Sequence, residues 1–200
     1  MNVKKKLKTK DYILLGIFSL LFFAVNSAVG FILTPFMATS AMPLISGGSL
    51  FFAATVYMIM AMKIGKRGVL LFLSIVTGLI YALMGIPLLL VFFTLAGVLG
   101  EVTLIKGDGN QYRNVHRQAL AYAVFGALFG MGAYVTVYVY GSDYLTEMYD
   151  EAMRESLMQF TYSPAWMIGG FLFSFVMSIL GCLLATKILN KHFIKAGMVR

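Results

Sequence analysis

Only 12% of the 200 residues are charged, so few side chains are available for chemistry. The single cysteine, Cys182, lies inside an apolar run, which leaves no disulfide framework and no thiolate metal site. The two histidines, His116 and His192, stand far apart, and no HExxH pattern supplies a zinc-binding pair with its base. Gly65-Lys66-Arg67-Gly68 is a basic turn, because the phosphate-cradling GxxxxGK[ST] pattern is absent. The chain is therefore expected to hold no metal or cofactor, to hydrolyse no ATP and to be no enzyme. Ion-coupled carriers place ionisable groups deep in the bilayer. Here only Glu101 competes for that role, about one turn from the end of its apolar stretch, where it is expected to pair with Lys106 or Arg117.

The remaining side chains suit recognition. Asn26 is uncharged and mid-stretch. Thr34, Thr39 and Ser40 follow in the next loop, and Tyr81 lies near the end of a later stretch. Tyr134 and Tyr138 are four apart and share a helix face, and Trp166 follows Tyr162. Singly, each tyrosine and the tryptophan fit an interfacial aromatic belt. Together they offer ring faces for stacking and hydroxyls or amides for orientation, as a small planar ligand needs. The candidate substrate-binding set is Asn26, Thr34, Thr39, Tyr81, Tyr134, Tyr138 and Trp166.

The elements positioning these residues follow from hydropathy. With 60% hydrophobic residues and a mean hydropathy of +0.86, the chain carries more apolar surface than a soluble core can bury. Apolar stretches of roughly 16–23 residues, about the length that crosses ~30 Å of hydrocarbon, are predicted at about 12–33, 44–62, 69–84, 88–105, 119–140 and 165–189. The fold class is all-α: a six-transmembrane-helix bundle forming one integral membrane domain over 1–200. Of the sixteen basic residues, all but Arg154 fall in the N-terminal, 63–67, 106–117 and C-terminal clusters. Lys/Arg excess in short loops marks the cytoplasmic face, so both termini are expected inside a bacterial cell membrane. The net charge of +8, set at membrane edges, points to anionic headgroups and not to nucleic acid.

The outer segment 141–164 holds Asp143, Glu147, Asp150, Glu151 and Glu155, five of the eight acids. Leu145, Met148, Tyr149, Ala152, Met153, Leu157 and Phe160 recur at helical spacing, which predicts an amphipathic outer helix between spans five and six. Asp143 is placed to cap it and Asp150 to pair with Arg154. It reads either as a solvated connector or as a lid. Small residues at four-residue spacing let helix backbones approach in lipid. They occur as Ala24 and Ala28, as Ala119, Ala123 and Ala127 with Gly126 and Gly130, and as Gly170, Ser174, Ser178 and Cys182. Such stripes serve internal packing, or a partner helix where one is left facing lipid.

Six spans, a basic inner face, the first-span AxxxA and no ATPase motif resemble the substrate-binding S-components of energy-coupling factor (ECF) transporters. The run from Lys187 through Asn190-Lys191-His192-Phe193 to Gly197 resembles the ending of their Trep_Strep (MptD-type) branch, as do Ala121-Tyr122-Ala123-Val124-Phe125 and the segment from Tyr140 to Tyr149. The resemblance implies capture of a vitamin or related micronutrient from outside. It implies docking through Ala24 and Ala28 onto a shared transmembrane coupling subunit with two ATPase subunits, and ATP-driven release inside. A small structural or assembly membrane protein without a ligand is the alternative.

Overall fold

The computed structural model describes residues 7–36, 39–141, 146 and 149–195, the last six of these by backbone alone. Every regular element among them is helical: α1 (Thr9–Leu33), α2 (Ile45–Ile64), α3 (Val69–Leu83), α4 (Leu88–Val102), α5 (Val115–Phe129), α6 (Gly132–Tyr140), α7 (Glu151–Thr161) and α8 (Pro164–Lys195). Short 3-10 turns occupy Thr34–Phe36, Met42–Leu44 and Asn110–Arg113.

Four stretches are long and apolar enough to cross a membrane: Thr9–Phe36, Met42–Ile64, Val115–Tyr140 and Pro164–Leu189. The predicted third and fourth spans are present as apolar helices but are shorter. α3 and α4 have 15 residues each, about 22 Å of rise. They form an antiparallel hairpin that turns at Gly85 (φ +99) and packs so closely that a Cβ on Gly78 would lie 2.8 Å from the Leu90 Cα. Tyr81 near its tip packs edge-on against Phe23 of α1. Ten residues of α1 continue beyond Phe23, about 15 Å at the helical rise, so the hairpin stops well short of that end.

α1 starts at Thr9, three residues earlier than expected, because Asp11 ties down its first turn. The Lys8 amide donates to Asp11 Oδ2 at 2.7 Å, and Lys66 Nζ reaches the same oxygen at 2.5 Å. Arg113 lies over Gly65, and Arg117 donates to the Lys106 carbonyl. These contacts gather the described basic loops at one end of the bundle.

α8 is the central strut, packed along α2 and α5. Gly47 faces Phe173 and Ser174, while Gly181 abuts Phe51 and Ala54, so α2 and α8 run parallel. Gly126 meets Ser178, and a Cβ at Gly130 would stand 2.6 Å from Ser174 Oγ, so α5 runs antiparallel. The glycine and serine stripes of the predicted fifth and sixth spans thus pack on each other, the close approach that small residues permit in lipid. The predicted fifth span is interrupted at Gly130 and Met131, between α5 and α6. Gly130 lies in the break and Gly132 follows it, and glycine is among the weakest helix formers. Between α2 and α5, Tyr57 and Tyr122 stack with centroids 4.6 Å apart. Tyr57 donates to Gln118 Oε1 at 2.6 Å and Tyr122 to the Leu50 carbonyl at 3.0 Å.

Glu101 is not paired with Lys106 or Arg117. Its Oε1 accepts the amides of Gly68 at 3.1 Å and Leu70 at 3.0 Å, capping the start of α3 from the end of α4. The first amides of a helix lack intrahelical partners and carry partial positive charge, so a carboxylate belongs there.

Candidate functional site

The end opposite the basic loops has an architecture of its own. Met42, Val137, Leu157 and Phe160 form an apolar cluster separate from the main core, with Tyr149 and Met158 partly buried around it. It joins the 42–44 turn, α6 and α7, so the amphipathic helix is bound to the bundle as a roof. Asp150 starts that helix by accepting the Met153 amide at 2.8 Å. It makes no ion pair with Arg154, because its carboxylate is already engaged as the cap. Of the expected face, Leu157 and Phe160 are buried, Met153 is half-buried and Ala152 is exposed; Ser156 and Thr161 are buried beside them. Asp143, Leu145, Glu147 and Met148 lie outside the described residues.

The main core presents polar groups as well. Asn26 is buried and donates through Nδ2 to Ser49 Oγ at 3.1 Å; Ser49 in turn donates to the Ser46 carbonyl at 3.0 Å. Tyr81 is held edge-on by Phe23, Phe93 and Phe129, with centroids 5.5–6.4 Å away. Tyr134 is 2% exposed, and its buried hydroxyl has no hydrogen-bond partner. It sits beside Gly170, where an added Cβ would lie 3.3 Å from that hydroxyl and 2.9 Å from the Pro43 carbonyl. One turn along α8 the buried Ser174 hydroxyl is also unpartnered, as are Ser156 and Thr161 on α7. A buried polar group without a partner is costly; Ser19, Thr77 and Ser178 share that condition deeper in the bundle, and four such hydroxyls gather at the roofed end.

A family of bacterial integral membrane proteins described as hypothetical, Trep_Strep, matches residues 9–195. The chain belongs to this family. No curated protein and no solved structure matches it. In this Trep_Strep chain the predicted recognition residues fall into three groups. Asn26 and Tyr81 lie where α1 meets α2 and α3, and Tyr134 lies beside Pro43 and Gly170, next to the roof. Tyr138 and Trp166 hold the roof itself: Tyr138 donates to the Thr161 carbonyl at 3.3 Å and packs edge-on against Tyr162, while Trp166 packs edge-on against Phe160. The hydroxyls of Thr34 and Thr39 are used locally, on the carbonyls of Gly30 at 3.1 Å and Phe36 at 2.7 Å. Ala24 and Ala28 are both exposed, on a face of α1 shared with Ile17, Leu20 and Phe31.

The Trep_Strep sequence gave weaker notice of Ser49, Ser174 and the two α7 hydroxyls. Ser174 stood in a small-residue stripe, which identified its packing and not its unpartnered oxygen. Ser49 carried no periodic signal; only the pairing of α1 with α2 brings it to Asn26.

Proposed function

We propose that this protein is the substrate-binding S-component of an ECF-type ABC transporter in the bacterial cell membrane. It takes up a vitamin or related micronutrient at the roofed end, which faces outside. The basic end and both termini lie in the cytoplasm, following the charge rule for membrane loops. All six apolar segments cross, the short α3–α4 hairpin being accommodated by local thinning of the bilayer at modest cost. The chain performs no reaction itself. Energy comes from two ATPase subunits acting through a transmembrane coupling subunit that receives the exposed Ala24/Ala28 face.

The observation that carries this reading is the set of buried, unpartnered hydroxyls of Tyr134, Ser174, Ser156 and Thr161 where α7 covers the bundle. A protein serving only as a scaffold has no use for unsatisfied donors at the end it roofs over. A ligand supplies the missing partners. Purification of the tagged protein from its native membranes in mild detergent tests the reading. An ATPase-bearing membrane module should co-purify, and a small molecule should be released on denaturation. Recovery of neither under conditions that keep membrane complexes intact overturns it.

A further inference from the structure

The basic end carries a surface that the roofed end does not use. α1 and α8 flank α2 on one side of the bundle: Asn26 joins Ser49 across α1 and α2, while Gly47 meets Ser174 and Gly181 meets Ala54 across α2 and α8. Between its two neighbours α2 shows a narrow outward stripe through Phe52, Ile59 and Lys63, which recur at helical spacing. The same contacts set the level of the lysines. The Asp11–Lys66 ion pair pins the start of α1 to the turn after α2, so Lys10 lies level with Lys63. Continuing the α2–α8 register places Lys187 beside Met60, within one turn of Lys63.

All three lysines are exposed, and none makes a hydrogen bond or ion pair among the described residues. Each stands at the foot of an exposed apolar stripe: Ile17 and Leu21 above Lys10, Phe52 above Lys63, Leu180 and Leu184 above Lys187. A lysine so placed lays its stem along apolar surface and holds its ammonium at the headgroup level. The acids of this end are engaged elsewhere. Asp11 is held by Lys66, Glu101 caps α3, and Asp108 accepts from Asn110 in the loop between α4 and α5. The sequence over 1–6 and 190–200 adds six Lys or Arg and no Asp or Glu. The α1–α2–α8 face is therefore apolar in the membrane and positively charged at its cytoplasmic edge, the complement of an anionic lipid.

We propose that this face binds a phospholipid with two phosphates, of the diphosphatidylglycerol type, its acyl chains along the stripes and its phosphates on Lys10, Lys63 and Lys187. Neighbouring helix axes stand about 8–10 Å apart, so the three lysines spread over a width that a single phosphate cannot cover. Two phosphates joined through a glycerol cover it, with Lys63 shared between them. The proposal rests on membrane embedding and on the charge rule for loops, and is independent of the S-component reading.

The test titrates the full-length, delipidated protein in detergent with tetraoleoyl diphosphatidylglycerol, dioleoyl phosphatidylglycerol, dioleoyl phosphatidylethanolamine and inorganic pyrophosphate, read by native mass spectrometry. One two-phosphate lipid should bind per protein, about ten-fold more tightly than the single-phosphate lipid, with the zwitterionic lipid and pyrophosphate weaker still. Lys10→Gln, Lys63→Gln and Lys187→Gln should each weaken it about five-fold, the effect of one basic residue at a charged membrane surface. Lys106→Gln makes the same charge change in the loop between α4 and α5 and should leave it unaltered. Thermal unfolding in detergent confirms that each variant is folded. Equal loss in Lys106→Gln overturns the proposal, because the attraction is then diffuse. Equal binding of the two anionic lipids, or displacement of lipid by pyrophosphate, overturns it as well. Unchanged lipid binding in the triple lysine variant with loss of the co-purifying ATPase-bearing module assigns the lysines to an acidic protein surface instead. Recovery of that module by the wild-type protein judges the S-component reading separately.

Discussion

Glu101 and Leu70 are joined across the α3–α4 hairpin by a carboxylate-to-amide hydrogen bond of 3.0 Å. The same oxygen accepts from Gly68, so one acid on α4 completes the first turn of α3 while Oε2 stays buried and unpartnered. Replacing it tests this capping role against proton relay. Glu101→Ala should cost about 0.5–2 kcal/mol, the range for losing a helix cap, and lower the apparent Tm in detergent. Glu101→Gln keeps an oxygen acceptor and should fall between wild type and alanine. Substrate uptake per folded molecule should persist in the glutamine variant; its loss there would reinstate a proton-carrying role.

The α5–α8 seam gives a second expectation. Gly126 faces Ser178 so closely that any Cβ collides with Oγ. Gly126→Ala should therefore destabilise the protein by about 1–3 kcal/mol, as overpacking does in tight cores. Ser178→Ala removes the colliding oxygen and leaves the Ser178 Cβ at 3.2 Å. The double variant should recover part of the loss, a non-additivity expected of residues in contact. Thermal unfolding of the four proteins measures it, and simple additivity would refute the seam.

Much of this was legible in the sequence because lipid solvation forces long apolar runs to be helical. Every predicted span contains a helix, and the stripes of Gly126, Gly130, Ser174 and Ser178 announced their packing. The illegible parts depend on contacts between distant segments. Glu101 meets Gly68 only because a hairpin closes between them, and nothing along the chain marks that. Tyr138 and Trp166 have the composition of ligand-stacking residues, yet their rings engage Tyr162 and Phe160. Helical spacing put Tyr138 on one face with Tyr134 without saying which element would meet either ring. Ala152 fell on the wrong side: in the helix from Glu151, capped by Asp150, the buried face runs through Ser156, Leu157, Phe160 and Thr161.

The roof should move with occupancy. Two edge-on ring pairs and one hydrogen bond of Tyr138 hold α7 beside its small apolar cluster, and few buried contacts mean a low local opening free energy. Amide hydrogen exchange over 150–161 should slow when a retained compound is added, more than over the basic loop 106–114. Tyr138→Phe removes only the bond to Thr161 and should raise exchange slightly; Tyr138→Ala and Trp166→Ala should raise it severalfold and weaken binding in step. Equal exchange with and without a demonstrably bound compound would show that α7 is no lid.

Ala24 and Ala28 test the partner-docking half of the reading. Both are exposed, and glycines on the same helix, Gly16 and Gly30, have open space where a Cβ would stand. In lipid such a face gains nothing from hydrophobic burial, but it lets another helix backbone approach closely and collect dispersion contacts. Leucine at both positions keeps the face apolar and adds bulk outward, so the isolated protein should fold and bind as before. Close approach should be lost, and with it co-purification of the ATPase-bearing module and uptake. Ala24→Gly with Ala28→Gly keeps the face small and should retain both. Three measurements on each variant separate the outcomes: unfolding in detergent, ligand retention and module recovery. Normal stability and retention with the module absent is the expected pattern for the leucine pair. Full module recovery by that pair would remove the α1 face from the docking surface and leave the exposed side of α8, around Leu172, Val176 and Leu180, as the face to test next.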